Sequence, residues 1–255
     1  MDISPYPILE FDPTREAYVE PSRLSKPRDV PEHCAICFFQ DVIETVVAER
    51  QATVVVDGRW EDGPHPIYEI TYNDRRLAFF HPGVGGAVAA GLLEEAIAYG
   101  CRKFIVCGGC GVLDKDIAVG HLIVVSGAVR DEGVSYHYLP PGREVQAHAA
   151  GVAALKATLE RRGARYRVGK TWTTDAPYRE TPARIAARKS EGCVVVEMEA
   201  ASLLAVAQFR SVVLGQVLYG GDDLSGGEWD NRGWQSRREV REKLFWLAAE
   251  ACLGL

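Results

Sequence analysis

The stretch Val194 to Ala207, VVVEMEAASLLAVA, constrains this chain more than any other. A β-branched run passes without a linker into an Ala/Leu-rich pattern at helical spacing, so a strand must hand over directly to a helix, as in α/β folds. Glu197, Met198 and Glu199 stand at that handover. Open α/β sheets bind ligands beyond the C-terminal ends of their strands, and these three side chains suit a polyol such as ribose. A carboxylate accepts hydrogen bonds from vicinal hydroxyls, and a polarizable thioether lies against the apolar face of a sugar ring. Acids at a helix start also complement the helix dipole, so a purely structural reading stands beside the functional one.

Strand and helix patterns alternate on both sides of this handover. Residues 1–33 hold Pro5, Pro7, Pro13, Pro21, Pro27 and Pro31 and read as an extended arm over the surface. Residues 34–255 read as one domain, since they contain no repeat, low-complexity tract or linker. It opens with a strand at 34–39, a helix at 41–50 and a strand at 53–57. Two β-type runs joined at Asn73-Asp74 follow as a hairpin, which makes the sheet mixed. Further strands are expected at 103–107, 121–126, 166–171 and 211–218, and helices from Gly86 to about 99 and at 144–162, 181–191 and 236–252. Between them, His81-Pro-Gly-Val-Gly-Gly86 opens a helix as an anion site could, Gly108–Gly111 reads as a turn, and 128–141 is too irregular for an element. The glycines from Gly83 do not fit a dinucleotide-binding fingerprint, whose third glycine would fall at Val88.

Charge and cysteine usage remove several classes of function. The 255 residues are 47% hydrophobic with a formal net charge of −6 and no basic block, which argues against a nucleic-acid partner. No apolar run approaches a bilayer span and the first residues lack an apolar signal region, so a cytoplasmic protein without a membrane partner is expected. Seven cysteines are an odd number, which argues against a disulfide framework. Cys34/Cys37 and Cys107/Cys110 have the spacing of zinc knuckles, the sharpest rival reading, a zinc-stapled structural domain. In a strand, however, positions three apart face opposite sides, so no metal is expected.

Taken together, HPGVGG, GGCGVLDKDIAVGHLIV, AVRDEGVSYHYLPP, WTTDAPYRE and EMEAA resemble the uridine and purine nucleoside phosphorylases, over about residues 34–235. The resemblance implies a three-layer α/β/α fold with a central mixed sheet. It also implies a nucleoside at the strand ends and subunits that complete each other's sites, as a homodimer or a hexamer built from dimers. It places Glu197 and Met198 against ribose and Glu199 on its hydroxyls. Thr173, Thr174, Asp175 and Tyr178 would surround the base, with Trp172 or Tyr178 stacking on it, and Asp222 or neighbouring Asp223 would lie beside it as the acid.

Two departures bear on the second reactant. The family's Gly-Asp-Pro turn and following arginine are replaced by Phe38-Phe39-Gln40-Asp41-Val42, and an arginine and a hydroxyl near the glycine turn are replaced by Val106 and Gly109. The expected activity is that of a pentosyltransferase of nucleoside salvage, phosphorolysis to free base and ribose 1-phosphate. Phosphate is then a co-substrate and no other cofactor is implied, with Gly85, Gly86, Arg130 or a partner's arginine forming the anion site. Hydrolysis is the alternative, with Asp41 or Glu44 activating water. A nucleoside-binding protein without catalysis is the third reading.

Overall fold

In the computed structural model, which describes residues 3–24 and 26–255, the chain builds one 10-stranded mixed sheet. The strands are β1 (His33–Cys37), β2 (Thr53–Trp60), β3 (Gly63–Tyr72), β4 (Arg75–Phe80), β5 (Lys103–Val112), β6 (Leu122–Asp131), β7 (Glu144–Gln146), β8 (Tyr166–Thr174), β9 (Cys193–Glu197) and β10 (Val213–Asp223). The helices are α1 (Pro21–Leu24), α2 (Gln40–Arg50), α3 (Gly86–Tyr99), α4 (Ser135–Tyr138), α5 (Ala149–Arg161), α6 (Pro182–Ser190), α7 (Ala200–Arg210) and α8 (Arg238–Leu253).

Period-two alternation divides the core between the two faces of the sheet. Cys34, Ile36, Phe104 and Val106 face a core shared with α3 and α7, whereas Ala35, Cys37, Ile105 and Cys107 face one shared with α2, α5 and α8. Helices therefore cover both faces, the expected three layers. The same alternation sends Cys34 and Cys37 into separate cores, and among the described residues no group of three His, Cys, Asp or Glu is placed to hold a metal. The β2-β3-β4 wing is antiparallel, with Asn73 and Asp74 both at positive φ (50° and 58°), as a tight hairpin turn requires.

The other half of the sheet is not open. β10 pairs with both β5 and β6, and β6, β8, β9 and β5 follow in order, so these strands close a ring. On one edge β5 is bonded to β10 along its length. On the other it is shared: β1 pairs up to Cys107, and β9 takes over only at Gly111. Gly108–Cys110 have no strand partner on that side, and this gap opens a cleft.

Several elements are longer than the sequence implies. β5 runs through the predicted turn at Gly108–Gly111, β8 through Thr174, and β10 through Asp222 and Asp223. The segment 128–141 contains the end of β6 and the short α4, and 144–146 is a strand, so the helix begins only at Ala149. Glycines weaken the local strand signal, but β10, bonded to β5 through Gly108, Gly109 and Cys110, supplies the hydrogen bonds that extend that ladder. The arm's residues 1, 2 and 25 lie outside the described residues. The rest of it lies over its own chain, with Arg210 bridging Glu20 (3.0 Å) of the arm and Glu94 (2.7 Å) of α3. Among the described residues no helix is long and apolar enough to cross a membrane.

Candidate active site

The cleft at the gap in β5 has a volume of about 890 Å3. Its floor is the β9–α7 handover. Glu197 ends β9 buried, and its carboxylate is satisfied by the protein: Oε1 accepts from Thr173 Oγ1 (2.6 Å) and Thr171 Oγ1 (3.3 Å), and Oε2 accepts from the backbone N–H groups of Glu199 (2.7 Å) and Ala200 (2.6 Å). It thus caps α7 and fixes the turn. Glu199, 6% exposed, uses Oε1 to accept from Gly85 N–H (2.6 Å). Burial, followed by the neighbouring Glu197 charge, pushes the Glu199 carboxyl up to about 8. Burial pushes Glu197 up as well, but its donors oppose the shift, so the proton of this pair is held at Glu199. Met198 lies between them and also lines the cleft.

Glu180, Asp222 and Trp229 form a second group in the lining. Trp229 Nε1 donates to Asp222 Oδ2 (2.7 Å) and fixes the orientation of that side chain. Burial and then the charge of Asp222 push Glu180 up to about 7. Tyr178, 98% exposed, borders the same cleft with a free ring. Near the gap, Gly109 lines the wall, where a Cβ would come 3.2 Å from the Tyr219 ring. Gln216 also lines the cleft, 1% exposed, with Oε1 lacking a donor. Among the described residues, Arg241 of α8 is the cation of the lining.

Other sequence-predicted residues are not brought in. Asp41 does not line the cleft; it is paired with Arg241 Nη2 at 3.2 Å. Glu44 is exposed and accepts from Gln40 (3.0 Å), so neither is placed to activate water in the cleft. Asp223 is turned away and paired with Arg232 and with Ser225 N–H (2.7 Å). Arg130 is buried and spends its guanidinium on Ser135 Oγ (2.8 Å) and the carbonyls of Pro140 (2.8 Å) and Leu139 (3.2 Å), so it cannot serve as an anion site. The predicted anion site at the α3 start is closed from within. Gly85 N–H already holds the Glu199 carboxyl, and Gly86 faces Ser202, whose Oγ would lie 2.4 Å from a Cβ there.

The base-pocket segment divides likewise. Thr173 and Thr174 are buried in β8, the former donating to Glu197 and the latter accepting from Ala176 N–H (3.2 Å). Asp175 accepts from Gly133 N–H (2.8 Å). Trp172 is fully buried and donates to Asp131 (3.0 Å), so it packs the core and cannot stack on a ligand. Sequence reasoning missed Glu180, Trp229, Gln216 and Arg241. Glu180 stood inside WTTDAPYRE, two residues after Tyr178, and could have been singled out; Arg241 gives no local signal, because only the packing of α8 brings it to the cleft.

Comparison with known proteins agrees with this geometry. The family model described as the phosphorylase superfamily matches residues 33–248. The guanosine phosphorylase of Halorubrum lacusprofundi is 27% identical over 179 residues, covering 70% of this chain and 73% of that protein. Among solved structures, purine nucleoside phosphorylase from Toxoplasma gondii in complex with immucillin-H superposes with a TM-score of 0.76 at 20% identity, over 94% of this chain and 98% of the other. AMP nucleosidase from Bacteroides thetaiotaomicron gives 0.71 at 20% identity, over 88% and 87%.

Proposed function

The chain belongs to the phosphorylase superfamily, and from that premise we propose that it cleaves the N-glycosidic bond of a nucleoside, with phosphate taking the sugar. The observation that supports this most is the pairing of a sugar-type floor, Met198 and Glu199, with a protonated carboxyl, Glu180, in the lining of one cleft. Cleavage through an oxocarbenium-like ribosyl transition state leaves electrons on the base, which must be neutralised. Glu180, held protonated near neutrality, is the better proton donor, and Asp222, its side chain fixed by Trp229, orients the base and keeps the proton on Glu180. The sequence had put that proton on Asp222. Glu199 keeps Oε2 for a ribose hydroxyl while Oε1 stays on Gly85.

Hydrolysis remains the second reading, because the lining offers few cations. Phosphate carries nearly two charges, and stripping its water needs charged or amide donors. Neither Asp41 nor Glu44 supports a water-activating role from its present place. The exposed Tyr18, Val19 and Leu24 of the arm support a further expectation, pairing with a second copy of the chain. A nucleoside panel incubated with and without phosphate, with chromatography of free base, ribose and ribose 1-phosphate, tests the function. Ribose 1-phosphate formed only with phosphate is the expected result; free ribose at the same rate without phosphate reverses the order of the two reactions, and no release of base ends both.

A further inference from the structure

The family resemblance locates an anion cradle at three places in this chain: the turn after β1, Val106, and Gly109. Phe38, Phe39 and Gly109 all line the cleft, yet none carries a cation. Arg241 enters the same lining from α8, an element that the cradle's sequence motifs do not include. Its guanidinium lies over the Phe39 ring, 5.8 Å from the centroid. Nη2 takes both of its partners, the Gln235 carbonyl (2.8 Å) and Asp41 Oδ2 (3.2 Å). Nε is buried with no acceptor. A buried charged donor without an acceptor is costly unless a ligand supplies one.

A second orphan lies in the same cleft. Gln216 Oε1 is buried without a donor, and Gln216 stands in register with Val106 on the neighbouring strand. The remaining buried orphans of the described residues, on Arg188 and Glu191, belong to side chains that pair with each other at 3.3 Å. Two of the four buried orphan atoms of the described residues therefore belong to residues that line the cleft. Gln216 alternates with Val217, which faces the core shared with α8, so its side chain belongs to the opposite face of the sheet from Arg241, and the guanidinium is the donor left for an oxyanion.

We propose that Arg241 is the cation of a phosphoryl-binding subsite in this cleft, rebuilt from α8 where the first βα turn has lost its own, with Asp41 holding the guanidinium in place while the subsite is empty. The ligand chemistry is a phosphoryl dianion. It has two sources: inorganic phosphate as the second substrate, or the 5′-phosphate of a nucleoside monophosphate. This rests on the proposed cleavage reaction for its role in turnover, but phosphate binding itself does not require turnover. Asp41 competes with the ligand for Nη2, so a neutral residue there leaves the arginine free for the oxyanion.

The test is isothermal titration of the full chain with inorganic phosphate and, separately, with a nucleoside 5′-monophosphate, for the parent, Arg241→Gln, Arg241→Lys and Asp41→Asn. Circular dichroism and the melting temperature establish that each variant is folded. The expected result is a tenfold or greater weakening of the phosphoryl ligand in Arg241→Gln, a smaller loss in Arg241→Lys, and tighter binding in Asp41→Asn. A response to inorganic phosphate assigns the subsite to the second substrate, and a response to the monophosphate alone assigns it to the 5′ end; both sustain the proposal. Equal affinities in the parent and the folded Arg241 variants, or no binding of either ligand by the parent, overturn it. If base is never released but the titrations behave as expected, the cleavage reading fails and the anion subsite stands. If Arg241→Gln does not fold, the Arg241→Lys and Asp41→Asn titrations decide.

Discussion

Glu199 does two things that pull in opposite directions, and pH separates them. Its carboxyl, at about 8 in the folded chain against 4.5 for an ordinary glutamate, binds a proton more tightly folded than unfolded. Its ionisation therefore costs nothing below about pH 4.5, and the cost grows as pH rises until about 8. Glu199→Gln keeps an oxygen for Gly85 N–H but cannot ionise. Its melting temperature should match the parent's near pH 5 and exceed it increasingly up to pH 8, while the sugar binding that the parent's ionised carboxylate gives as pH approaches and passes about 8 is lost, because an amide turns donors toward ribose hydroxyls. Parallel melting curves at all pH values, or an unimpaired KM for nucleoside, would show that the carboxylate is only structural. Glu180 supports a separate expectation. It is protonated below about pH 7, so kcat should decline above that pH, and Glu180→Gln should lower kcat by about 100-fold or more and remove that limb. A variant with the parent's pH profile would return the acid's role to Asp222.

At the scale of the element, the sheet owes its approach to α5 to two facing glycines. A Cβ on Gly215 of β10 would lie 2.9 Å from the Gly151 carbonyl carbon, and one on Gly151 would lie 2.8 Å from Gly215 Cα and N. The obstacle is backbone on both sides, so neither can yield as a flexible side chain would. Gly215→Ala should cost about 1–3 kcal/mol in chemical denaturation without altering nucleoside specificity, the usual penalty of overpacking; an unchanged midpoint would mean that α5 moves freely on the sheet. Such approaches also explain what the sequence conceals. The β9–α7 handover, the Asn73-Asp74 hairpin and the opposed faces of Cys34 and Cys37 follow from local pattern and are legible. The ends of β5, β8 and β10 are not, because Gly108–Gly111 and Gly220–Gly221 read as turns until neighbouring strands bond them. Thr174, Asp223 and Arg130 look available in sequence but are consumed by partners that only the folded loops bring into reach, Ala176 N–H, Ser225 with Arg232, and Ser135 with the Leu139 and Pro140 carbonyls, and Arg241 looks like one more charge on an amphipathic helix.

The whole molecule has two parts that could in principle come apart: the closed ring of β5, β10, β6, β8 and β9, and the β2-β3-β4 wing beyond β1. β5 belongs to both, since it is a ring strand and also the parallel partner of β1. The core facing α2, α5 and α8 runs beneath both as well, joining Leu77 and Phe79 of β4 to Val124 of β6 and Val217 of β10. Unfolding the wing alone would strip one face of that core, so the two parts should unfold together, as one domain over residues 34–255. The cysteines report on this, because all seven are free and buried. Cys34 and Cys101 lie in the core facing α3 and α7; Cys37, Cys107 and Cys252 lie in that facing α2, α5 and α8; Cys110 and Cys193 lie in two smaller clusters of the ring. Burial raises the thiols of Cys34, Cys107 and Cys110 well above their ordinary range, so neither access nor thiolate character favours reaction in the folded state. In native buffer a thiol reagent should label essentially none of the seven. With denaturant, labelling resolved by peptide mass spectrometry should rise at one midpoint for every cysteine, coincident with the loss of helical circular dichroism. Early labelling of Cys34 and Cys37 ahead of Cys110 and Cys193 would mean that the wing and β1 leave the ring first, and that the shared strand and core do not couple the two parts.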